Sequence, residues 1–378
     1  MMELIRPHLQ ALPPYTPIEP FEVLSARLGR DVNEIIKLDA NENPYGSSPR
    51  VREALAQLAF PHIYPDPESR ALRSALAQVH HLPMENILCG SGADELIDLI
   101  LRVVLEKGDV VINCPPTFGM YPFDTLVNGG KIVEVPRRAD FSLDMDGLKK
   151  VIREEKPKIL FLASPNNPDG SLLPAEVLEE LLAFPMLIVL DEAYIEFSED
   201  ERLGSQVTKL HEVLQRENLI VLRTFSKWAG LAGLRVGFGC FPGWIMPILW
   251  KAKQPYNVNV AASEAAIAAL ADIEYIGKTV ALLCKERQRM QELLARIPYL
   301  QTYPSRANFI LCKVISEKQG SLSAAGLKAA LASRYGILVR YFDKPGLQDH
   351  IRISVGKPQH TEALINALLE IGDLQQLS

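Results

Sequence analysis

From position 49 onward, apolar residues recur with two alternating periods. VREALAQLA (51–59), SRALRSALAQVH (69–80), GADELIDLILRVVL (92–105), MYPFDTLVNG (120–129), LDMDGLKKVI (143–152) and PAEVLEELLA (174–183) carry them three and four apart, which predicts amphipathic helices. Between them lie short apolar runs: ENILCG, VVINC, KIVEVP, KILFLAS, MLIVLDEAY, LIVLRTFS and LRVGFGC. These read as strands apolar on both faces. Their alternation with helices predicts an α/β fold whose mostly parallel sheet is covered on both sides. After about residue 272 the pattern changes. A long charged helix, IGKTVALLCKERQRMQELLARI, precedes the short strands NFILCKV, GILVRYF and HIRISVG, as in a smaller α+β domain. Residues 1–48 read as a proline-rich, irregular arm that packs with the small domain and the active site, 49–272 as the large domain and 273–378 as the small one.

Composition narrows the partners. The 378 residues are 48% hydrophobic, ample for a sizeable core, and carry a net charge of −6 without any lysine/arginine block. That balance argues against nucleic acid or an anionic membrane as a partner, so an anionic ligand must be held by local arginines and helix termini. Five cysteines without a C-x-x-C pair suggest buried, reduced thiols. The first residues show no apolar signal core and no apolar run reaches membrane-spanning length, so the expectation is a soluble, cytoplasmic protein.

Ligands of open parallel sheets bind beyond the carboxyl ends of the strands, so the residues there matter most. After ENILCG come Ser91, Gly92, Ala93 and Asp94 at a helix start, where free N–H groups can hold an anion. The run continues as GSGADE, not G-x-G-x-x-G, and no acidic residue closes the next strand, which excludes a dinucleotide fingerprint. Phe118 follows the next strand on a proline-stiffened turn, where its ring could stack on a flat ligand. SPNNPDG places Asn167 in a rigid loop. MLIVL runs into Asp191 and Tyr194, and an aspartate closing an apolar strand needs a cationic partner. LIVLRTFS ends at Lys227. Each residue alone has a plain structural reading as core, turn or cap; their occurrence in this order on one rim points to chemistry.

A pyridine aldehyde with a phosphate tail uses all of these groups, which implies pyridoxal 5'-phosphate. Lys227 would bond to the aldehyde, its amine made nucleophilic by desolvation and nearby cations. Asp191 would pair with the ring nitrogen, and Asn167 and Tyr194 would hydrogen-bond the ring oxygen. Thr224, Ser226, Arg235 and the amides of Ala93 and Asp94 would hold the phosphate.

The motifs SPNNP-x-G, DEAY, T-x-SK with an arginine eight residues on, and a late R-I-S resemble the fold-type I aminotransferases. LDANENPYG, IYPDP, GSGADELI, CPPTFGMY, RTFSKWAGLAGLR and HIRISVG, in that order over nearly the whole chain, are similar to the histidinol-phosphate aminotransferase family. The resemblance implies transfer of an amino group between L-histidinol phosphate and 2-oxoglutarate. It implies a homodimer in which Tyr64 reaches the cofactor phosphate of the neighbouring subunit. It also implies that Arg352 grips the substrate carboxylate, that Arg340 and Tyr15 contact the substrate phosphate, and that Asn41 and Glu42 lie in a segment over the active site. The family usually has threonine where this chain has Asp169; that carboxylate is expected to face solvent or cap the next turn. A threonine-phosphate decarboxylase, an aromatic or broad-range aminotransferase, and a pyridoxal phosphate-binding regulator remain as other readings. The last lacks a helix-turn-helix or basic extension to support it.

Overall fold

The structure is a computed structural model that describes residues 2–14, 19–199, 203–315 and 322–376. Among these residues twelve strands form two sheets. In chain order the strands are β1 (Ile36–Leu38), β2 (Ile87–Gly90), β3 (Val110–Asn113), β4 (Lys131–Glu134), β5 (Ile159–Ala163), β6 (Leu187–Asp191), β7 (Leu219–Thr224), β8 (Gly237–Cys240), β9 (Leu300–Thr302), β10 (Phe309–Val314), β11 (Ile337–Tyr341) and β12 (His350–Ser354).

The larger sheet has the order β2-β8-β7-β6-β5-β3-β4. Pairing is parallel from β4 through β7, and β8 runs antiparallel to both of its neighbours. Successive residues of its strands enter two different cores. Leu160, Leu162, Ile188 and Leu190 pack on one face with Leu72 and Leu76 of the helix Arg70–His80. Ile159, Phe161, Leu187 and Val189 pack on the other with Leu96, Ile97 and Ile100 of the helix Ala93–Val104. Burial on both faces is why these strands read as unbroken apolar runs rather than as alternation. The predicted helices appear within a few residues of their expected bounds, including the long one, Ile273–Leu294.

The second sheet has the order β1-β11-β12-β10-β9. Its first strand comes from the arm: Ile36, Lys37 and Leu38 pair in parallel with Ile337, Leu338 and Val339. The arm also holds the helix Phe21–Leu28, so it is less irregular than the proline content suggests. A three-residue strand is too short to show a period, and only its distant partner makes it a strand. The helix Val260–Ala271 likewise escapes the pattern, because its alanine-rich sequence presents no distinct apolar stripe.

None of the five cysteines is in a disulfide and all are buried, with burial pushing the thiols of Cys89, Cys114 and Cys240 up to about 12. No helix among the described residues is long and apolar enough to cross a membrane.

Candidate active site

Register brings the chemistry together. Ala163 pairs with Asp191 and Asp191 with Leu222, so β5 and β6 finish level and β7 runs two residues further, to Thr224. Gly237 of β8 lies between Gly90 and Thr224. A Cβ at Gly237 would sit 2.7 Å from the amide nitrogen of Ala93, so glycine there lets the start of the helix Ala93–Val104 approach the end of β7. No side chain caps that helix, which leaves its first N–H groups for a ligand.

Beside them Arg235 donates to Asp94 Oδ2 at 2.8 Å, and its guanidinium lies over Gly92, where a Cβ would be 2.5 Å from Nη2. Thr224 Oγ1 donates to Ser226 Oγ at 2.9 Å and accepts from the Ser226 amide at 3.1 Å. Below this cradle Arg223 is buried and pairs with Glu196 at 2.6 Å, tying the end of β7 to the turn Ile195–Phe197 after β6. A buried pair of this kind is strongly destabilised if either partner is removed alone.

Asp191 is buried, with Oδ2 accepting from the Tyr121 hydroxyl at 2.7 Å and Oδ1 from the Ala193 amide at 2.9 Å. Burial pushes its carboxyl up to about 6 against the opposing pull of those two donors. A cationic partner would relieve that desolvation. Lys227 is half-buried; its ammonium donates to the Ala40 carbonyl at 3.2 Å and lies 5.9 Å from the Tyr194 ring centre. Ala93, Asp94, Phe118, Asn167, Asp191, Tyr194, Thr224, Ser226, Lys227 and Arg235 all line one cavity of about 140 Å³.

That cavity opens past Phe118, Asn167, Tyr194 and Lys227 into a larger one of about 890 Å³, whose far wall is the second sheet. Arg340 of β11 and Arg352 of β12 stand directly opposite each other there and both line the cavity. Like charges opposed across a strand pair repel unless an anion sits between them. Arg352 donates to Asn167 Oδ1 at 2.6 Å and to the Asp39 carbonyl at 2.7 Å, so it also reaches the cofactor wall. Asn41 is buried and donates to the Tyr194 hydroxyl at 3.0 Å, with its own backbone held by Ser354 and Asn308.

Residues 33–370 match the family model for aminotransferase class I and II. The chain belongs to the class I and II aminotransferases. It is 56% identical to the chloroplastic histidinol-phosphate aminotransferase of Nicotiana plumbaginifolia over 364 residues, spanning 96% of this chain and 86% of that one. It is 50% identical to the histidinol-phosphate aminotransferase of Roseiflexus castenholzii, spanning 97% and 98%. The crystal structure of histidinol-phosphate aminotransferase from Sinorhizobium meliloti in complex with pyridoxal-5'-phosphate aligns with a TM-score of 0.87 at 32% identity, covering 99% and 98% of the two chains. The family expected from the motifs is borne out.

The cofactor of this aminotransferase is pyridoxal 5'-phosphate. The donor set fits it: uncapped helix N–H groups, two hydroxyls and an arginine for the phosphate, and a buried carboxylate with a raised pKa for the ring nitrogen. Three of the described residues singled out in the sequence stand apart from the cavities, and a fourth is not among the described residues. Tyr64 is 79% exposed, stacked on Tyr256 at 4.7 Å, and lines neither cavity of its own chain. Glu42 turns away to Lys37, with Nζ to Oε2 at 2.7 Å, and lines neither cavity. Tyr15 lies outside the described residues. Asp169 caps the turn, as expected, by accepting from the Ser171 amide at 3.0 Å, but it is buried rather than solvent-facing. Its other oxygen accepts from the Asn166 side chain, and it lines neither cavity, so no carboxylate opposes an anionic substrate at this point.

Sequence reasoning missed Tyr121. It stands three residues after Phe118 in CPPTFGMY and 70 before Asp191, and nothing local in the sequence joins it to that aspartate.

Proposed function

We propose that this aminotransferase moves an amino group between L-histidinol phosphate and 2-oxoglutarate, giving imidazole acetol phosphate and glutamate, in histidine biosynthesis. The observation that carries this reading is the pair of opposed arginines, Arg340 and Arg352, on the wall of the cavity that also holds Lys227. One substrate brings a phosphate and the other an α-carboxylate, and two adjacent guanidiniums can hold either anion by paired N–H donors.

Pyridoxal phosphate, when bound, supplies the electron sink that stabilises negative charge at the substrate's amino-bearing carbon. Thr224, Ser226, Arg235 and the amides of Ala93 and Asp94 would hold its phosphate, and Phe118 would support its ring. Asp191 would pair with the ring nitrogen, and Asn167 and Tyr194 would orient the ring oxygen. Lys227 Nζ would hold the cofactor's reactive carbon and, when free, would take the proton from the substrate's amino-bearing carbon and return it one position away. The Ala40 carbonyl and the Tyr194 ring, which border Nζ, keep it aimed into the cavity.

Residues 49–272 bind the cofactor and 273–378, joined by the arm of 1–48, close over the substrate. The enzyme works as a cytoplasmic homodimer: the exposed Tyr64, with no place in its own cavity, serves the cofactor phosphate of a second copy, and the buried thiols suit a reducing compartment.

The test is the visible absorption of the purified protein. L-Histidinol phosphate should bleach the bound-cofactor band, and 2-oxoglutarate should restore it. Bleaching by glutamate and phenylalanine but not by histidinol phosphate would reassign the enzyme to a broad-range aminotransferase. Release of carbon dioxide from threonine phosphate would make it a decarboxylase.

A further inference from the structure

We propose that Tyr121 is a positioning residue for Asp191: its hydroxyl fixes the carboxylate that pairs with the cofactor ring nitrogen, while its ring backs Phe118, the wall on which the cofactor ring lies. The inference rests on the reading of the smaller cavity as the cofactor site.

Tyr121 is fully buried on the helix Met120–Val127. Its ring lies flat against Phe161 of β5 at 4.9 Å and 7°, while Phe118 meets it edge-on at 5.5 Å and 80°. Those two contacts leave the phenol little rotational freedom, so its hydroxyl is delivered to Asp191 Oδ2 in one orientation, at 2.7 Å. The Ala193 amide holds the other oxygen at 2.9 Å. A carboxylate has about four lone-pair sites, so it can accept both donors and still present an oxygen edge to the cavity. One tyrosine thereby couples the stacking wall to the ring-nitrogen partner.

The charged and titratable groups acting on Asp191 are Tyr121, Asp94 and Lys227, and Tyr194 acts on Tyr121. Asp94 raises the Asp191 carboxyl and Lys227 lowers it, while the Tyr121 hydroxyl opposes the effect of burial directly. Burial and the neighbouring carboxylate push the Tyr121 phenol well above its ordinary value, so it remains a protonated donor through the working pH range.

The experiment uses the holoenzyme and its Tyr121→Phe variant. The readouts are the dissociation constant for pyridoxal phosphate and the acid-side midpoint of the bound-cofactor absorbance. Loss of a hydrogen bond to a charged group should weaken cofactor binding about tenfold or more. The midpoint should move to higher pH, because the donor that lowers the Asp191 carboxyl is gone. Tyr299→Phe, which removes a tyrosine hydroxyl bonded to the Leu368 carbonyl at 2.5 Å, should leave both readouts unchanged.

In an Asp191→Asn background the Tyr121→Phe change should lose most of its effect on cofactor affinity. If Tyr121→Phe fails to fold, replacing Tyr121 with 3-fluorotyrosine keeps the ring and strengthens the donor, and the midpoint should then move to lower pH. Cofactor affinity and midpoint that match wild type, or effects that simply add to those of Asp191→Asn, would overturn the inference. Wild-type protein that binds no pyridoxal phosphate would instead overturn the cofactor site itself.

Discussion

The two walls of the cavity are built differently. On the seven-stranded sheet, functional groups follow the last residues of parallel strands: Asp191 closes β6, and Thr224, Ser226 and Lys227 continue from β7. They are already engaged by the protein, as in the two donors to Asp191 and the hydroxyl pair of Thr224 and Ser226. On the five-stranded sheet, the candidate groups stand on the face of antiparallel strands, where Arg340 lies directly opposite Arg352. One wall is preorganised for a resident cofactor. The other sets two like charges side by side, a repulsion that an anionic substrate would offset. Arg352 connects the two by donating to Asn167.

Breaking each wall should therefore give a different signature. Lys227→Ala should abolish turnover while the far-UV circular dichroism melt stays close to wild type, because among the described residues the lost side chain hydrogen-bonds only the Ala40 carbonyl. Retained transamination would contradict the role of Lys227. Arg352→Ala should damage both walls: kcat/KM for histidinol phosphate falls by about a hundredfold or more, and cofactor affinity falls with it as Asn167 loses its donor. Steady-state kinetics beside a cofactor titration would check this. Asp169→Thr should have the smallest effect. A threonine can still cap the turn, so kcat/KM should change by less than about threefold and stability by about 1 kcal/mol.

This contrast also explains what the sequence made legible. Strand-end chemistry is local: an apolar run followed at once by a charged or polar group singles out Asp191, Tyr194 and Lys227 as candidates without any tertiary information. Groups that depend on register are not local. The opposition of Arg340 and Arg352 arises from how β11 and β12 align across the loop between them, and no spacing in the chain encodes it. The arm strand Ile36–Leu38 exists only through its pairing with β11. Tyr121 lies within a quoted motif, yet its role depends on a helix after β3 meeting the end of β6. For Asp169 the sequence leaves open a solvated carboxylate or a turn cap; the second holds, and the Asn166 side chain and the Ser171 amide satisfy it inside the protein.

The most direct test of two separable walls is Arg340→Ala, with the pyridoxal phosphate dissociation constant and kcat/KM for L-histidinol phosphate measured on the same preparation. Arg340 lines the larger cavity and not the smaller one, so kcat/KM should fall by about ten- to a hundredfold while the dissociation constant remains that of wild type. Cofactor loss in step with the fall in kcat/KM, or an unchanged kcat/KM, would contradict the account.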